Sequence, residues 1–258
     1  MASPFLPWEL SARPWFCCHG AMSRDDGADF ALTEDTGGSR GAGDTGRSLP
    51  EQLYLLACDE AKERLQLGKR ELLARVLRAA ALIDLTERGC LRDENGRARA
   101  VGDRRTGDPV LDDVLRDVAQ ERPKKWKPLV ERHRRRTFDA VERQLAAAGA
   151  ITVERRALRP TRVVVRDADE VAVLRKTAAG ILHGELAPSR IPPRQAALAV
   201  LAAMGEVPGV TTGRERRRLK KRIDALSERA GAAAPALKKA IKAMKAAASA
   251  SAGAAGAS

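Results

Sequence analysis

A run of 21 residues, ELLARVLRAAALIDLTERGCL at positions 71–91, constrains the fold more than any other part of the chain. In its central part, only Arg78 and Asp84 interrupt a series of aliphatic side chains. A helix that is apolar on nearly all sides belongs inside a protein rather than on its surface. Gly89, directly after a basic residue, is a typical helix stop. The sequence therefore predicts a buried central helix.

Arg78 is the unusual residue in this run, because a guanidinium does not lose its proton in a protein. Its side chain must reach the edge of a helix bundle or meet an anionic partner. One partner would be a carboxylate of the same chain, such as Glu71 or Asp84, since buried charges are generally paired. The other would be an anionic ligand. Both alternatives remain open at this point.

Composition indicates a helical core and an anionic partner. Hydrophobic residues make up 44% of the 258 residues and aromatic residues only 3%, so Ala, Leu and Val must build the core, which favours helices. The formal net charge is +13, and residues 1–48 hold four basic and seven acidic side chains, which leaves +16 on the remainder. Such a surplus indicates nucleic acid, an acidic protein or an anionic membrane surface as partner.

The chain divides into one folded region and two tails. Residues 1–47 are rich in Gly, Asp, Ser and Thr, and residues 230–258 are mostly Ala, Lys, Gly and Ser, so both are predicted to be disordered. Residues 48–229 are predicted to form a single, mainly α-helical globular domain. This domain is expected to surround a central buried helix pair and to carry one or two β-hairpins.

Local signals place the elements of this domain. Ser48 caps a first amphipathic helix that runs through QLYLLACDEAKERL. Turn residues predict two hairpins, one around residues 94–96 and one over residues 151–165. Further helices are predicted at residues 109–121, 137–148, 169–183, 194–204 and 214–226.

Enzyme chemistry finds little support in the sequence. It contains no Gly-rich phosphate loop, no histidine pair at metal-ligand spacing and no nucleophile elbow. The four cysteines lack metal-ligand spacing, which favours a reducing compartment, and no apolar run is long enough to span a bilayer. We therefore expect a cytoplasmic protein that is not an enzyme and needs neither cofactor nor metal.

The main chemical signal is positive charge in RPKKWKPLVERHRRR, residues 122–136, which has eight basic residues against one glutamate. Each Lys or Arg near an anionic leaflet contributes about 1 kcal/mol, so this segment would suffice for attachment to a membrane. A basic helix followed by Gly149 and a hairpin is also the pattern of a winged helix. Base readout needs Asn or Gln, and this helix has only Gln144, so nucleic-acid binding is the second alternative.

The order of motifs resembles the Golgi-phosphoprotein-3-like (GPP34) family. The motifs are LPEQLYLLACDE, LRAAALIDLTERGCL, TGDPVLDDVL and KWKPL, followed by a helix that ends at Gly149 and by a hairpin. The resemblance spans residues 49–226, and the Ala- and Arg-rich composition is typical of a high-GC actinobacterium. It implies a mainly helical domain around a central helix pair, which binds membranes peripherally through the head group of phosphatidylinositol 4-phosphate.

The resemblance also implies site residues. The head-group pocket of the family uses a Trp and an Arg from the central-helix segment and two Arg from the helix after the KWKPL motif. Arg78 corresponds to the first Arg, and Arg135 or Arg136 to the second. The other two positions are not kept, because they hold Lys69, and Phe138 or Asp139. We expect Arg78, Arg135 and Arg136 to bind the head group, with Arg78 in a solvent-facing pocket that tolerates its replacement.

The expected partner is an anionic phospholipid surface at the inner face of the cell membrane. A weaker alternative is that the protein is an adaptor for the acidic cytosolic tails of membrane enzymes, because the Golgi retention of glycosyltransferases that eukaryotic relatives serve has no counterpart in a bacterium. The hairpin from Glu154 to Val165 corresponds to a segment implicated in self-association, and an ordinary edge hairpin is the alternative. Nucleic acid is the least favoured partner.

Overall fold

Helices dominate the part of the chain that the computed structural model describes, which comprises residues 46–59, 64–65, 70–120, 122–156, 159–231 and 234. The mainly α-helical fold with small antiparallel sheets is as predicted. The elements are, in order, α1 Leu49–Leu56, β1 Cys58–Asp59, β2 Arg64–Leu65, α2 Arg70–Glu87, β3 Leu91–Glu94, β4 Arg97–Ala100, α3 Pro109–Ala119, β5 Lys124–Lys125, α4 Trp126–Glu131, α5 Arg134–Ala147, β6 Ile151–Arg156, β7 Arg159–Val165, α6 Ala168–His183, α7 Pro193–Gly205, α8 Gly213–Arg218 and α9 Lys220–Arg229.

Helix α2 lies at the centre of the core. Every residue from Val76 to Leu85 is buried, and α2 packs against α1, α3, α5 and α7. Helix α7 is also buried from Ala196 to its end, so α2 and α7 form the expected central pair. Helix α2 ends at Glu87, and Gly89 reverses the chain as predicted, with φ +66°. The N–H of Cys90 then donates to the Leu85 carbonyl at 2.8 Å.

The first helix is shorter than predicted. It ends at Leu56, and the residues after it form β1, which pairs with β2 instead of continuing the helix. Helix α1 is also buried on all sides, including Glu51 and Gln52, whereas the pattern predicted one inward face. Sheet β1–β2 packs against β7, a contact between distant residues that overrides the helix propensity of this segment.

Both predicted hairpins are present. Strands β3 and β4 meet at Asn95 and Gly96, whose φ values of +53° and +78° fit the two central positions of a type I′ turn. Strand β5 extends this hairpin to three strands by pairing with β4, which was not predicted because two residues carry no recognisable pattern. Strands β6 and β7 form the second hairpin, with Ile151 opposite Val165.

The remaining helices follow the predictions closely, with three differences. Helix α4, Trp126–Glu131, was not predicted. Helix α5 begins at Arg134, three residues earlier than expected, and ends before Gly149, which has φ +66°. The predicted basic helix over residues 214–226 is two helices, α8 and α9, which meet at Leu219. The sequence has neither Pro nor Gly at this position, so it carries no signal for the break.

The predicted disordered tails, residues 1–47 and 230–258, lie mostly outside the described residues, and their disorder stays a prediction. The described end of the first segment contacts the helical domain. Arg47 Nε donates to Glu170 Oε1 at 2.7 Å, and the Arg47 carbonyl accepts a hydrogen bond from Arg194 at 2.6 Å. Ala230 and Ala234, in the second segment, are buried.

A buried carboxylate joins α1, α2 and α7. Asp84 accepts hydrogen bonds from Leu49 N–H at 2.7 Å and Arg88 Nε at 2.6 Å, and it forms an ion pair with Arg194 at 3.3 Å. Arg194 also lies 3.6 Å from Glu87 Oε2. Burial raises the pKa of Glu87 to about 7; Arg194 opposes this shift and Asp84 adds to it.

Replacing Glu87 with glutamine should stabilise the protein at alkaline pH only. The folded pKa of about 7 exceeds the ordinary value of 4.5, so ionised Glu87 destabilises the folded state above pH 7, by up to about 3 kcal/mol. This penalty fades as pH falls from 7 towards 4.5. We expect Glu87→Gln to raise the Tm in thermal unfolding at pH 8 and to leave it nearly unchanged at pH 4. Glu228→Gln, at an exposed position of α9, is the control, and equal shifts at both pH values would contradict the assignment.

Candidate anion-binding surface

Helices α2 and α5, with the loop between α4 and α5, bring arginines together on one side of the central helix. In α2, Arg75 and Arg78 are three residues apart, and Glu71 lies four residues before Arg75, so the three side chains share one face. The first turn of α5 adds three consecutive arginines, and the loop between α4 and α5 adds another. The name basic surface is used below for Arg75, Arg78, Arg132, Arg134, Arg135 and Arg136.

Arg78 is the buried member of the basic surface, with a side chain only 1% exposed. Its Nε donates to the Leu129 carbonyl at 3.2 Å, and its Nη1 donates to Thr137 Oγ1 at 3.1 Å and Asp117 Oδ2 at 3.3 Å. Burial lowers the pKa of the guanidinium, and the opposing effect of Asp117 offsets only part of this shift. Arg78 thus connects α2 with α3, α4 and α5.

These contacts correct two expectations. A solvent-facing pocket at Arg78 is wrong, since the side chain is buried beneath Asp117. A carboxylate of the same chain does pair with Arg78, but it is Asp117 rather than Glu71 or Asp84. The sequence could not identify Asp117, because the pairing arises from the packing of α2 against α3. The sequence showed only that α3 is amphipathic, which does not identify which of its carboxylates would face Arg78.

Arg136 meets the same carboxylate from the solvent side. Its Nη1 lies 3.8 Å from Asp117 Oδ1, its Nη2 donates to Asp113 Oδ2 at 3.2 Å, and its side chain is 55% exposed. Asp117 is 17% exposed and presents one oxygen to Arg78 and the other to Arg136. The structure therefore brings two of the three predicted site residues to a single carboxylate.

Arg135 lies at a different carboxylate. Its Nε and Nη2 both lie 2.7 Å from Glu71 Oε1, while Arg134 donates to Glu71 Oε2 at 3.0 Å. Burial alone would raise the pKa of Glu71, but the hydrogen bonds from Arg135 and Arg134 outweigh burial and lower it. The Arg135 side chain is 75% exposed. Arg135 therefore flanks the Asp117 pair and does not converge on it.

The start of α5 places positive charge where a helix disfavours it. His133 precedes the helix at φ +55°, an uncommon conformation for a residue other than glycine, and gives no side-chain cap. The first turn has no acidic residue, and the N-terminal end of a helix carries about half a positive charge of its own. An anion bound at this end would reduce the repulsion between the arginines of the first turn and the positive end of the helix dipole.

The basic surface keeps a surplus of positive charge after its internal pairs are counted. Five of its arginines, Arg75, Arg78, Arg134, Arg135 and Arg136, share four carboxylates among the described residues: Glu71, Asp113, Asp117 and Glu131. Asp113 is also shared with Arg116, which lies outside the basic surface. Burial alone would raise the pKa of Asp113, but the hydrogen bonds from Arg116 and Arg136 outweigh burial and lower the pKa. The surface is therefore suited to attract an anion.

Loss of Arg78 should destabilise the fold. Arg78→Ala leaves the largely buried Asp117 without its closest cation, and breaking a buried pair in this way typically costs about 3–5 kcal/mol. Arg136→Ala should cost less than about 1 kcal/mol, because its ion pairs are exposed to solvent. Urea unfolding of both variants measures the difference. A stability of Arg78→Ala equal to wild type would show that the guanidinium is not needed in the core.

Neither a membrane span nor a metal site is found among the described residues. No helix there is long and apolar enough to cross a membrane, and no group of three His, Cys, Asp or Glu could hold a metal ion.

Comparison with curated proteins finds no match. The family model of Golgi phosphoprotein 3 (GPP34) matches residues 49–244, about three quarters of the chain, including the whole basic surface. The chain belongs to the Golgi phosphoprotein 3 (GPP34) family.

Proposed function

We propose that this protein binds the head groups of anionic phospholipids, of the phosphatidylinositol 4-phosphate type, and so attaches to the inner face of the cell membrane from the cytoplasm. Membership of a family known for membrane association supports this proposal. The observation that carries it is the sharing of Asp117 by buried Arg78 and exposed Arg136 at the start of α5.

Arg136 would make the first contact with a head-group phosphate. Its side chain is more than half exposed, and its distance of 3.8 Å from Asp117 is too long for a strong hydrogen bond. Its hydrogen bond to Asp113 at 3.2 Å is exposed to solvent, where such a pair contributes less than about 1 kcal/mol, so the guanidinium can turn outwards at little cost. A phosphate monoester carries about −1.5 to −2 charges, so it competes well against either of the two carboxylates that Arg136 contacts. Arginine can also donate two parallel hydrogen bonds to it.

Arg78 would contribute only after Asp117 moves. Asp117 now satisfies the buried guanidinium, and a phosphate that replaced this carboxylate would satisfy the same group. Arg135, at the neighbouring Glu71, would contact the same or an adjacent lipid. In this proposal the three arginines have different parts: Arg136 captures the phosphate, Arg78 receives it below, and Arg135 extends the contact.

The protein would act as a non-enzymatic adaptor that holds the cytosolic tails of membrane enzymes. This part of the proposal rests on the family alone, since nothing in the described geometry identifies a tail-binding groove. A membrane-bound adaptor needs a stable lipid contact and a separate protein contact. The lipid contact is therefore the part to test first.

Nucleic-acid binding, the second alternative, has weaker support. The candidate recognition helix α5 packs against α1, α2 and α3 and buries Phe138, Val141 and Leu145. Its one residue suited to base readout, Gln144, donates to Asp108 Oδ2 at 3.1 Å and to a glutamate of α1. A winged helix needs this helix free to enter a groove.

Vesicle flotation tests the head-group site. Wild type should float with vesicles that contain phosphatidylinositol 4-phosphate, and Arg136→Gln should bind about tenfold more weakly, since a charge-assisted contact contributes about 1.5–3 kcal/mol. Asp117→Asn should bind more tightly, because it removes the competing carboxylate. Arg217→Gln, at an exposed position of α8, is the matched control. Vesicles of neutral lipid and of phosphatidylinositol report on selectivity.

Two outcomes of this experiment would contradict the proposal. The first is flotation of Arg136→Gln equal to that of wild type. The second is strong binding of duplex DNA by the same preparation, with weak binding to every vesicle, which would favour the nucleic-acid alternative. Melting curves of Arg136→Gln and Arg217→Gln must match that of wild type, so that lost binding is not lost folding. Asp117→Asn leaves the buried Arg78 without its carboxylate, so its Tm should be lower and its binding is measured well below that Tm.

Self-association through the hairpin from Glu154 to Val165 stays a prediction. Val163 of β7 is buried against the domain, whereas Val164 and its partner Thr152 lie on the outer side of the sheet. An outer face of this kind can pair with a second copy, and a charge on it prevents pairing. Light scattering should find an oligomer for wild type and a monomer for Val164→Glu. Val173→Glu, at an exposed site of α6, should leave the mass unchanged, and an oligomeric Val164→Glu would contradict the prediction.

A further inference from the structure

The three-stranded sheet β3–β4–β5 presents a second group of cations, apart from the basic surface. Arg92 lies directly opposite Arg99, and Arg97 lies opposite both Glu94 and Lys125. Directly opposed residues, and alternate residues along a strand, point to the same side of a sheet. These five residues therefore share one face, which is called the basic sheet face below.

Like charges oppose each other on this face with little compensation. Arg92 faces Arg99 and Arg97 faces Lys125, and such direct pairs destabilise a sheet. Glu94 is the one carboxylate of the face; it forms ion pairs with Arg92 at 2.5 Å and with Arg99 at 3.1 Å. Arg97 donates to a backbone carbonyl, and Lys125 forms no ion pair with any described residue. The face keeps three surplus positive charges.

The opposite side of the sheet fixes this face in place. Leu91 and Ala98 are buried there, and Trp126 is buried and donates from Nε1 to Asp93 Oδ1 at 2.5 Å. Trp126 directly follows Lys125, so its anchoring holds β5 beside β4. The arrangement of cations is therefore built into the fold and does not depend on a flexible loop.

The basic sheet face is close to the basic surface along the chain. Only the six residues of α4 separate Lys125 from Arg132, and a helix of that length spans about 9 Å. Arg132 and the three arginines of the first turn of α5 therefore follow the basic sheet face closely along the chain.

We propose that the basic sheet face is a second membrane contact, which binds anionic phospholipids without selecting their head group. A planar array of cations with no apolar residue among its members fits a planar anionic surface. None of its five members is aromatic, so the face offers no side chain on which bases could stack. The proposal rests on the proposed function for the membrane as partner, but assigns a separate site.

The size of the effect follows from the charge. A basic residue near an anionic leaflet raises the partition onto the membrane about fivefold, so three surplus charges raise it on the order of 100-fold. This attraction is electrostatic, so it should weaken as salt increases. Selectivity would then come from Arg136 and Asp117, and general attraction from the basic sheet face.

The test uses the full chain with three substitutions, Arg97→Gln, Arg99→Gln and Lys125→Gln. The matched control has Arg217→Gln, Arg218→Gln and Lys221→Gln, three exposed cations of α8 and α9. Binding is measured by flotation with vesicles of phosphatidylcholine and phosphatidylserine at low salt, and by calorimetry with soluble dibutanoyl phosphatidylinositol 4-phosphate. The sheet variant should lose about 100-fold in vesicle partition and keep its affinity for the soluble lipid. Arg136→Gln should show the opposite pattern.

Each other result overturns the inference. A sheet variant that floats like wild type shows that the face does not touch the membrane. An equal loss in the control variant shows that total charge, and not this face, determines binding. A sheet variant that loses RNA binding but not vesicle binding assigns the face to nucleic acid. Failure of the head-group proposal gives a different result. Wild type would then show no binding to the soluble lipid in calorimetry, while the sheet variant would still lose binding to the vesicles.

Discussion

The buried charge of Arg78 is the constraint on which the packing around α2 depends. An uncompensated guanidinium in a core costs several kcal/mol, so the oxygens around it must be placed accurately. Three helices supply one oxygen each, from Asp117 of α3, Leu129 of α4 and Thr137 of α5. Satisfying one side chain therefore fixes how three helices dock on α2. Asp84, the second charge in the same run, joins α1 and α7 to it in a similar way.

The same compensation leads to the proposed function. Asp117 is not sealed in the core, and its outer oxygen faces Arg136 at the surface. A carboxylate between a buried and an exposed arginine stabilises the protein and occupies the place that a phosphate would take. We therefore infer that folding and lipid binding compete for one anion position. The basic sheet face, which has no buried charge to satisfy, would add affinity without this competition.

Local signals predicted much of the fold because they depend on neighbours in the sequence. The apolar run of α2, the stop at Gly89 and the hairpin turn at Asn95 all appear where expected. The partner of Arg78 and the early end of α1 depend on distant residues, and no local pattern encodes them. Charge alone located the basic segment at residues 122–136. Adjacent helical residues point about 100° apart, so only the three-dimensional structure shows that Arg136, and not Arg135, lies beside Asp117. Tail disorder and an actinobacterial source stay predictions.

A crystal structure of the complex with dibutanoyl phosphatidylinositol 4-phosphate tests the central claim most directly. We expect the 4-phosphate within hydrogen-bond distance of the Arg136 guanidinium, at the first turn of α5. We also expect the carboxylate of Asp117 to have moved away from Arg78, beyond the present 3.3 Å, with a phosphate oxygen in its place. A phosphate bound elsewhere, with Asp117 still between the two arginines, would contradict the account.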